Sequence, residues 1–412
     1  MGPSGRRQPG AWERLWLFFA ANILFAGGLF SHAFLYNFYL DDLGLGESVM
    51  GLAAAALTAG GLVALVPAGV LVDRRGTRFV YGSAAVAAAV GLAVGGFVES
   101  PWAIYGAAGL AGAGATSWRV ASGPILMRLA PPAIRPRAFS WNVALLLASG
   151  AGWTAASGFL PGWLEAILPV SPGSGIRWSL VLGAAGTGLG GFVYLLIPHT
   201  PDVPAATHRP EPALRRGFSL RALALPPVLT ASVGLVLVWM MGSALVLPFF
   251  NLYFLRIHGL GVDRIGLLLG AAQAAAALAV FGSGLLAERL GLHRTLRYWM
   301  VIFPPALWAL AGVGALLPAG ALFLLLSLVP PATNPLIDQA LLEEADPARR
   351  GTVSSWRNGA TELAGLIGAS AGGVLLEAAT FGVLFGVAGG VALVGALGLG
   401  RVLRRLRVEA GS

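Results

Sequence analysis

The sequence has no cysteine and no lysine, five histidines in 412 residues, and only 11% charged side chains. Without cysteine there is no disulfide, no thiolate metal site and no cysteine nucleophile. So few histidines also argue against a catalytic metal centre. Soluble domains carry about 25% charged residues. A surface this poor in charge does not suit water, which argues against a large soluble enzyme. What is present is apolar: 57% of residues are hydrophobic, and the mean hydropathy is +0.77. Apolar runs of 18 or more residues recur, each able to cross a hydrocarbon core about 30 Å thick. A membrane β-barrel would show alternating ten-residue segments instead. The chain reads as an all-α polytopic membrane protein.

Arginine carries all of the positive charge, a bias that matches the excess of alanine and glycine. A pI near 10.9 would suit a nucleic-acid binder. Surplus arginine on cytoplasmic loops produces the same value in a membrane protein, so no nucleic acid is expected as a partner. The first apolar stretch, Leu15 to Leu40, is too long for a signal-peptide core and lacks a small-residue cleavage site. It is expected to remain as the first span.

Breaks at charge and at Pro/Gly turns predict twelve spans: 13–40, 48–72, 79–98, 102–128, 138–160, 176–197, 222–255, 262–286, 294–316, 319–342, 352–375 and 379–401. Arginine clusters precede the first span, follow every even-numbered span and end the chain. The positive-inside rule then puts both termini in the cytoplasm of a cell (plasma or inner) membrane protein. A polar connection, His199 to Leu220, reads as a flexible cytoplasmic linker. It divides the chain into an N-terminal six-helix bundle (1–198), the linker (199–220) and a C-terminal bundle (221–412) with a short basic tail.

The two halves repeat. A shift of 215 residues takes Gly69 to Gly284, Asp73 to Glu288, Arg74 to Arg289, Gly76 to Gly291 and Gly51 to Gly266. It also lays "PAIR", from Pro132, on "PARR", from Pro347, and Ser140-Trp141 on Ser355-Trp356. Near the end of the first span of each half, "NFYL" from Asn37 matches "NLYF" from Asn251. Six spans per half make the repeat parallel, with an axis along the membrane normal.

"GVLVDRRGTR", with Gly69, Asp73, Arg74, Gly76 and Arg78, resembles the loop signature between the second and third helices of the major facilitator superfamily. "GLLAERLGLHR", with Gly284, Glu288, Arg289, Gly291 and Arg294, resembles its degenerate copy. Arg119, followed by Gly123, stands where many members carry an intramembrane arginine. The resemblance covers nearly the whole chain. It implies two six-helix bundles, a substrate site between them and alternating access. It also implies that the acid and Arg74 of the first signature link the bundles on the cytoplasmic side when the cavity opens outward. Arg75 and Arg78 read as topology anchors, and Gly69 as a point of close helix packing. Drug/proton antiporters of the superfamily often carry a Gly-Pro-rich motif in helix five. The stretch Gly150 to Leu160 lacks the proline and one glycine. "GASAGGVL", from Gly368, is closer but lies in helix eleven.

Charge inside hydrocarbon usually marks function. Arg119 lies about 13 Å along helix four from Arg128, Asp338 about 12 Å from Asp346, and Glu362 about 18 Å from Arg350, at 1.5 Å per residue. They either neutralise one another as a static pair or face a cavity, with Asp338 or Glu362 as proton carrier and Arg119 modulating it. Arg357 is shallower and is expected to snorkel. His32 is a further titratable candidate. Asn37, Asn251, Gln273 and Asn334 could orient a ligand, and Trp118, Trp239 and Trp356 could form apolar walls. Asn334-Pro335 could form a hinge.

With no Walker motif, a secondary transporter is expected. Its partners are a small-molecule substrate, protons and the lipid bilayer, and it acts as a monomer with no cofactor. Export of a small amphipathic compound comes first. Import of a sugar or another metabolite is the alternative within the same fold. A non-transporting receptor or scaffold, or a membrane-embedded enzyme, is the alternative of another class. No clustered nucleophile, metal set or acid–base pair supports an enzyme.

Overall fold

The computed structural model describes residues 10–168, 173–198 and 225–410. The expected linker, 199–220, lies outside them. Among the described residues, thirteen α-helices make up twelve segments: α1 (Ala11–Asp42), α2 (Glu47–Arg75), α3 (Thr77–Gly95), α4 (Pro101–Leu129), α5 (Arg135–Ile167), α6 (Gly175–Leu195), α7 (Pro227–Ala244) with α8 (Phe250–His258), α9 (Val262–Leu290), α10 (Leu292–Gly312), α11 (Leu316–Glu343), α12 (Arg350–Ala378) and α13 (Phe381–Ala410). A 3₁₀ turn at Leu247–Phe249 divides α7 from α8 within one apolar segment, Pro227–His258. Ten segments are apolar enough over 18 residues to cross a membrane. The two others, α4 and α10, are long enough but carry arginine within them: Arg119 and Arg128 in one, Arg294 and Arg297 in the other.

The repeat is visible in the helix boundaries. Shifted by 215 residues, α2 coincides with α9 at both ends, α3 begins in register with α10, and α5 with α12. The 3₁₀ turns at Pro132–Ile134 and Pro347–Arg349 are separated by the same shift. At the loop signatures, Gly76 has φ 82° and ψ 162°, and Gly291 has φ 86° and ψ 146°. Both precede the first residue of a helix. Only glycine adopts this region cheaply. Gly76→Ala and Gly291→Ala should each cost about 1–3 kcal/mol, read as a lower melting temperature. Gly69→Ala is the control, because a Cβ at Gly69 meets nothing within 4 Å. That space corrects the expectation of close packing at Gly69. The conformational demand falls on the second glycine of the signature instead.

The chain forms two compact units. The first contains α1, most of α2, α3 to α6 and residues 260–271, which include the start of α9. The second contains α7, α8, most of α9, α10 to α13 and residues 46–55, which include the start of α2. Small residues set the helix crossings in both. In the first, a Cβ on Gly190 would lie 2.6 Å from the Phe25 nitrogen, and one on Gly114 2.5 Å from the Ala88 nitrogen. In the second, a Cβ on Gly395 would meet the Trp239 nitrogen at 2.5 Å. Close backbones of this kind are how helices associate in lipid, where apolar burial gives little driving force between them.

The first unit also has a polar centre. Asn22 on α1 is 1% exposed. Its Oδ1 accepts hydrogen bonds from the Tyr81 hydroxyl (3.0 Å) and Trp118 Nε1 (2.9 Å), and its Nδ2 donates to Asn142 Oδ1 (2.8 Å). Phe25 stacks on Trp118 with ring centroids 4.6 Å apart. One amide therefore ties α1 to α3, α4 and α5. In the second unit, Phe250 and Tyr253 of α8 pack with Phe323 of α11 and Phe385 of α13.

Candidate functional site: a membrane-embedded charge cluster and two helix crossings

On α11, Asn334 and Asp338 lie one turn apart, so their side chains share a face. Arg357 projects from α12 and is only 8% exposed. Its Nη2 donates to Asn334 Oδ1 at 2.9 Å, and its Nη1 reaches Asn358 Oδ1 at 3.1 Å. Its Nε lies 2.9 Å from Asp338 Oδ1, an ionic contact whose N–H is not aligned as a hydrogen bond. The Asp338 side chain is 42% exposed. The cluster therefore joins a buried cation to a carboxylate that water can also reach. Pro330, Pro331 and Pro335 interrupt the backbone hydrogen bonds of α11 beside it.

This geometry corrects one expectation. Arg357 does not snorkel; it is enclosed and held, and it is the cation that faces Asp338. Sequence depth could have indicated the pair. Asp338 precedes Asp346 by eight residues, and Arg357 follows Arg350 by seven, so both lie at nearly equal depth.

The remaining candidates lie on several helices. Arg119 on α4 is exposed, with Nη2 donating to Thr116 Oγ1 at 3.1 Å. Glu362 on α12, Gln273 on α9 and Asn37 on α1 are half-buried. Asn251 on α8 is buried, and its Oδ1 accepts the Leu252 N–H at 2.9 Å. His32 is buried and stacks on Tyr36 at 4.0 Å. Trp118 and Trp239 are enclosed in their own units, the latter edge-on to Phe303 at 5.5 Å. Trp356 is 46% exposed.

In the first loop signature, Asp73 and Arg74 are exposed, and Asp73 joins no ion pair among the described residues. The Arg75 guanidinium lies over the Phe79 ring, 4.9 Å from its centroid. Arg78 does more than anchor topology. It donates to the Ile197 carbonyl at 2.8 Å and to the Leu195 carbonyl. These are acceptors that the end of α6 leaves unpaired. In the second signature, Gly284, Glu288, Arg289 and Arg294 are exposed. The residue in register with Arg78 is His293, one position before Arg294.

The N-terminal ends of α2 and α9 make matching crossings. In the second unit, a Cβ on Gly51 would meet the Ala369 carbonyl oxygen and, at 3.1 Å, the Gly373 Cα. In the first unit, a Cβ on Gly266 would lie 2.9 Å from the Gly158 Cα and 3.1 Å from the Thr154 carbonyl oxygen. All three residues of the one contact map onto those of the other by the 215-residue shift. Glycine stretches in helices five and eleven that lack the antiporter motif's proline thus serve as crossing points. At the α2 end, Glu47 forms an ion pair with Arg256 of α8, and Glu377 of α12 accepts the Ser48 N–H at 2.8 Å. Neither Glu47 nor Arg256 is among the candidates drawn from the sequence. Their partnership joins residues about two hundred positions apart, which no local pattern reveals.

The family model described as Major Facilitator Superfamily matches residues 17–330 and 235–411. The chain belongs to that superfamily. The all-α architecture of twelve membrane segments in two repeated six-helix halves is its fold. No curated protein is a significant match in sequence. Solved superfamily structures are similar in fold at low identity. A bacterial homologue of the iron transporter ferroportin, inward-facing, has TM-score 0.73 and 16% identity, with 96% of this chain and 100% of that chain covered. A bacterial homologue of the human lysosomal transporter Spinster, inward-facing and unoccupied, has TM-score 0.72 and 15% identity, covering 99% and 96%. The nucleoside transporter NupG has TM-score 0.71 and 14% identity, covering 95% and 98%. As a superfamily member the chain is a multi-pass membrane protein built for secondary transport by alternating access.

Proposed function

We propose that this superfamily member is a proton-coupled exporter of a small amphipathic solute. The observation that carries the coupling is the Asp338–Arg357 contact. A proton on the Asp338 carboxylate removes the charge that faces Arg357, so protonation and the ion pair exclude each other. Proton binding at Asp338 releases Arg357. Rocking of one six-helix half against the other then opens the site to the opposite side, where loss of the proton lets the pair, which lies within the second half, re-form. The α2 and α9 crossings, with the Glu47–Arg256 pair, act as the closure on one face. The first loop signature acts as the latch on the cytoplasmic face, where the arginine distribution also places both termini.

The scarcity of Asn, Gln and Glu in the spans supports an amphipathic cargo over a sugar. Import of a metabolite is the second reading, favoured by the fold likeness to a nucleoside transporter. Purified protein in liposomes with an imposed pH gradient, exposed to compound pools and followed with an internal pH dye, separates the two. Export coupling requires proton flux opposite to the solute. Flux in the same direction supports import, and solute movement without any pH change removes the proton proposal. In the same vesicles, Asp73→Asn should lower transport and deplete the outward-open state. Unchanged flux and unchanged state populations would remove the latch.

A further inference from the structure

The two halves differ at one place where the repeat would make them alike. In the first, Tyr81 of α3 and Tyr194 of α6 lie ring against ring, 4.0 Å apart. Arg78 closes the helix end beside them through the Leu195 and Ile197 carbonyls. The space left is about 30 Å³. In the second half, the residue in register with Tyr81 is Leu296. Matched by their contacts, Gly190 on Phe25 and Gly395 on Trp239, α6 and α13 are in register with Tyr194 on Leu399. Two rings are thus replaced by two leucines, and a cleft of about 500 Å³ opens between α10 and α13.

Its chemistry is divided. Arg294, Arg297 and Arg401 line it together with Leu296, Met300 and Leu397. The three arginines are exposed. Arg294 and Arg297 lie in the first two turns of α10, and Arg401 lies at the end of the apolar stretch Phe381–Val402. They therefore stand at the membrane surface, and the apolar residues run inward from them. The first half has Phe79 and Gly82 in register with Arg294 and Arg297, so these two arginines have no counterpart at the same positions there.

We infer that this cleft is a binding site for an anionic phospholipid. Its phosphate sits among Arg294, Arg297 and Arg401, and an acyl chain lies along Leu296, Met300 and Leu397. A basic rim over an apolar trough of this volume complements a molecule with one acidic head and one apolar tail. A free anion leaves the trough unfilled, and a neutral lipid leaves three cations unmatched. The site is independent of the transported solute and of Asp338.

The test is native mass spectrometry of the full chain in detergent, titrated with phosphatidylglycerol, phosphatidylcholine of the same chains, or inorganic phosphate. Phosphatidylglycerol should be retained in preference to phosphatidylcholine, and millimolar phosphate should not displace it. Arg294→Gln, Arg297→Gln and Arg401→Gln should each reduce that retention roughly fivefold. Leu399→Tyr, which restores the ring of the first repeat, should reduce it with every arginine in place, and so serves if an arginine variant fails to fold. Equal retention of both lipids, displacement by phosphate, or retention unchanged in Arg297→Gln and Leu399→Tyr would each overturn the inference.

Discussion

Replacing Asp338 by asparagine should cut pH-gradient-driven transport about tenfold or more and leave the remaining flux indifferent to the gradient. The amide keeps the shape and a hydrogen-bond acceptor beside Arg357 but loses the charge and the site of protonation. Arg357, at 8% exposure, is then held by Asn334 and Asn358 alone. Removing one partner of a fully buried pair costs about 3–5 kcal/mol. Because the Asp338 side chain is 42% exposed, solvent screening reduces the expected loss of stability to about 1–2 kcal/mol. Arg357→Gln should lose gradient-driven transport equally. The double variant Asp338→Asn/Arg357→Gln should melt higher than the sum of the two single effects predicts, since neither orphaned group remains. If both single variants keep their dependence on the pH gradient, Asp338 and Arg357 are not the coupling pair.

The second large effect is expected at the α2 crossing. A leucine at Gly373 would drive its side chain into the Glu47 carbonyl and the Gly51 Cα, the latter already 3.1 Å from a bare Cβ. Overpacking costs about 1–3 kcal/mol. Here it can be relieved by moving the end of α2 away, breaking Glu47–Arg256 and Glu377–Ser48. The chain contains no cysteine, so Ser48→Cys introduces a single thiol. Its maleimide labelling should rise roughly tenfold in the Gly373→Leu background. Gly365→Leu on the same helix is the control, because a Cβ there meets nothing within 4 Å. Labelling that rises equally in both backgrounds would mean that the crossing does not hold this end closed. Gly158→Leu should do the same to α9 through its contact with Gly266.

Much of the fold was legible because hydrocarbon imposes a length and a composition on each span. Eleven of the twelve expected segments coincide with single helices, and the twelfth is the α7–α8 pair. The repeat was legible because glycines at sharp turns cannot drift. Gly76 and Gly291 hold the same φ, near 82–86°. The role of Gly69 was not legible. A small residue on a helix face marks possible close approach, and only the neighbour decides whether it occurs. The site was legible by residue type and depth, but not by pairing. Asp338 was singled out as an acid in hydrocarbon, whereas Arg357 was assigned to the surface because arginine stems can reach it.

By itself, the sequence determined that this is a polytopic helical protein of two repeated halves, since scarce charge and long apolar runs allow no other way to satisfy the backbone in lipid. It also determined the loop signature and the acids that stand inside the membrane. The tertiary structure decided which groups meet. It set Arg357 against Asp338 and Asn334, Glu47 against Arg256, and Gly51 against Gly373, and it left a basic cleft where one repeat lost two rings. Those contacts join helices far apart in the chain, and side-chain charge or size gives no direction until the backbones are placed.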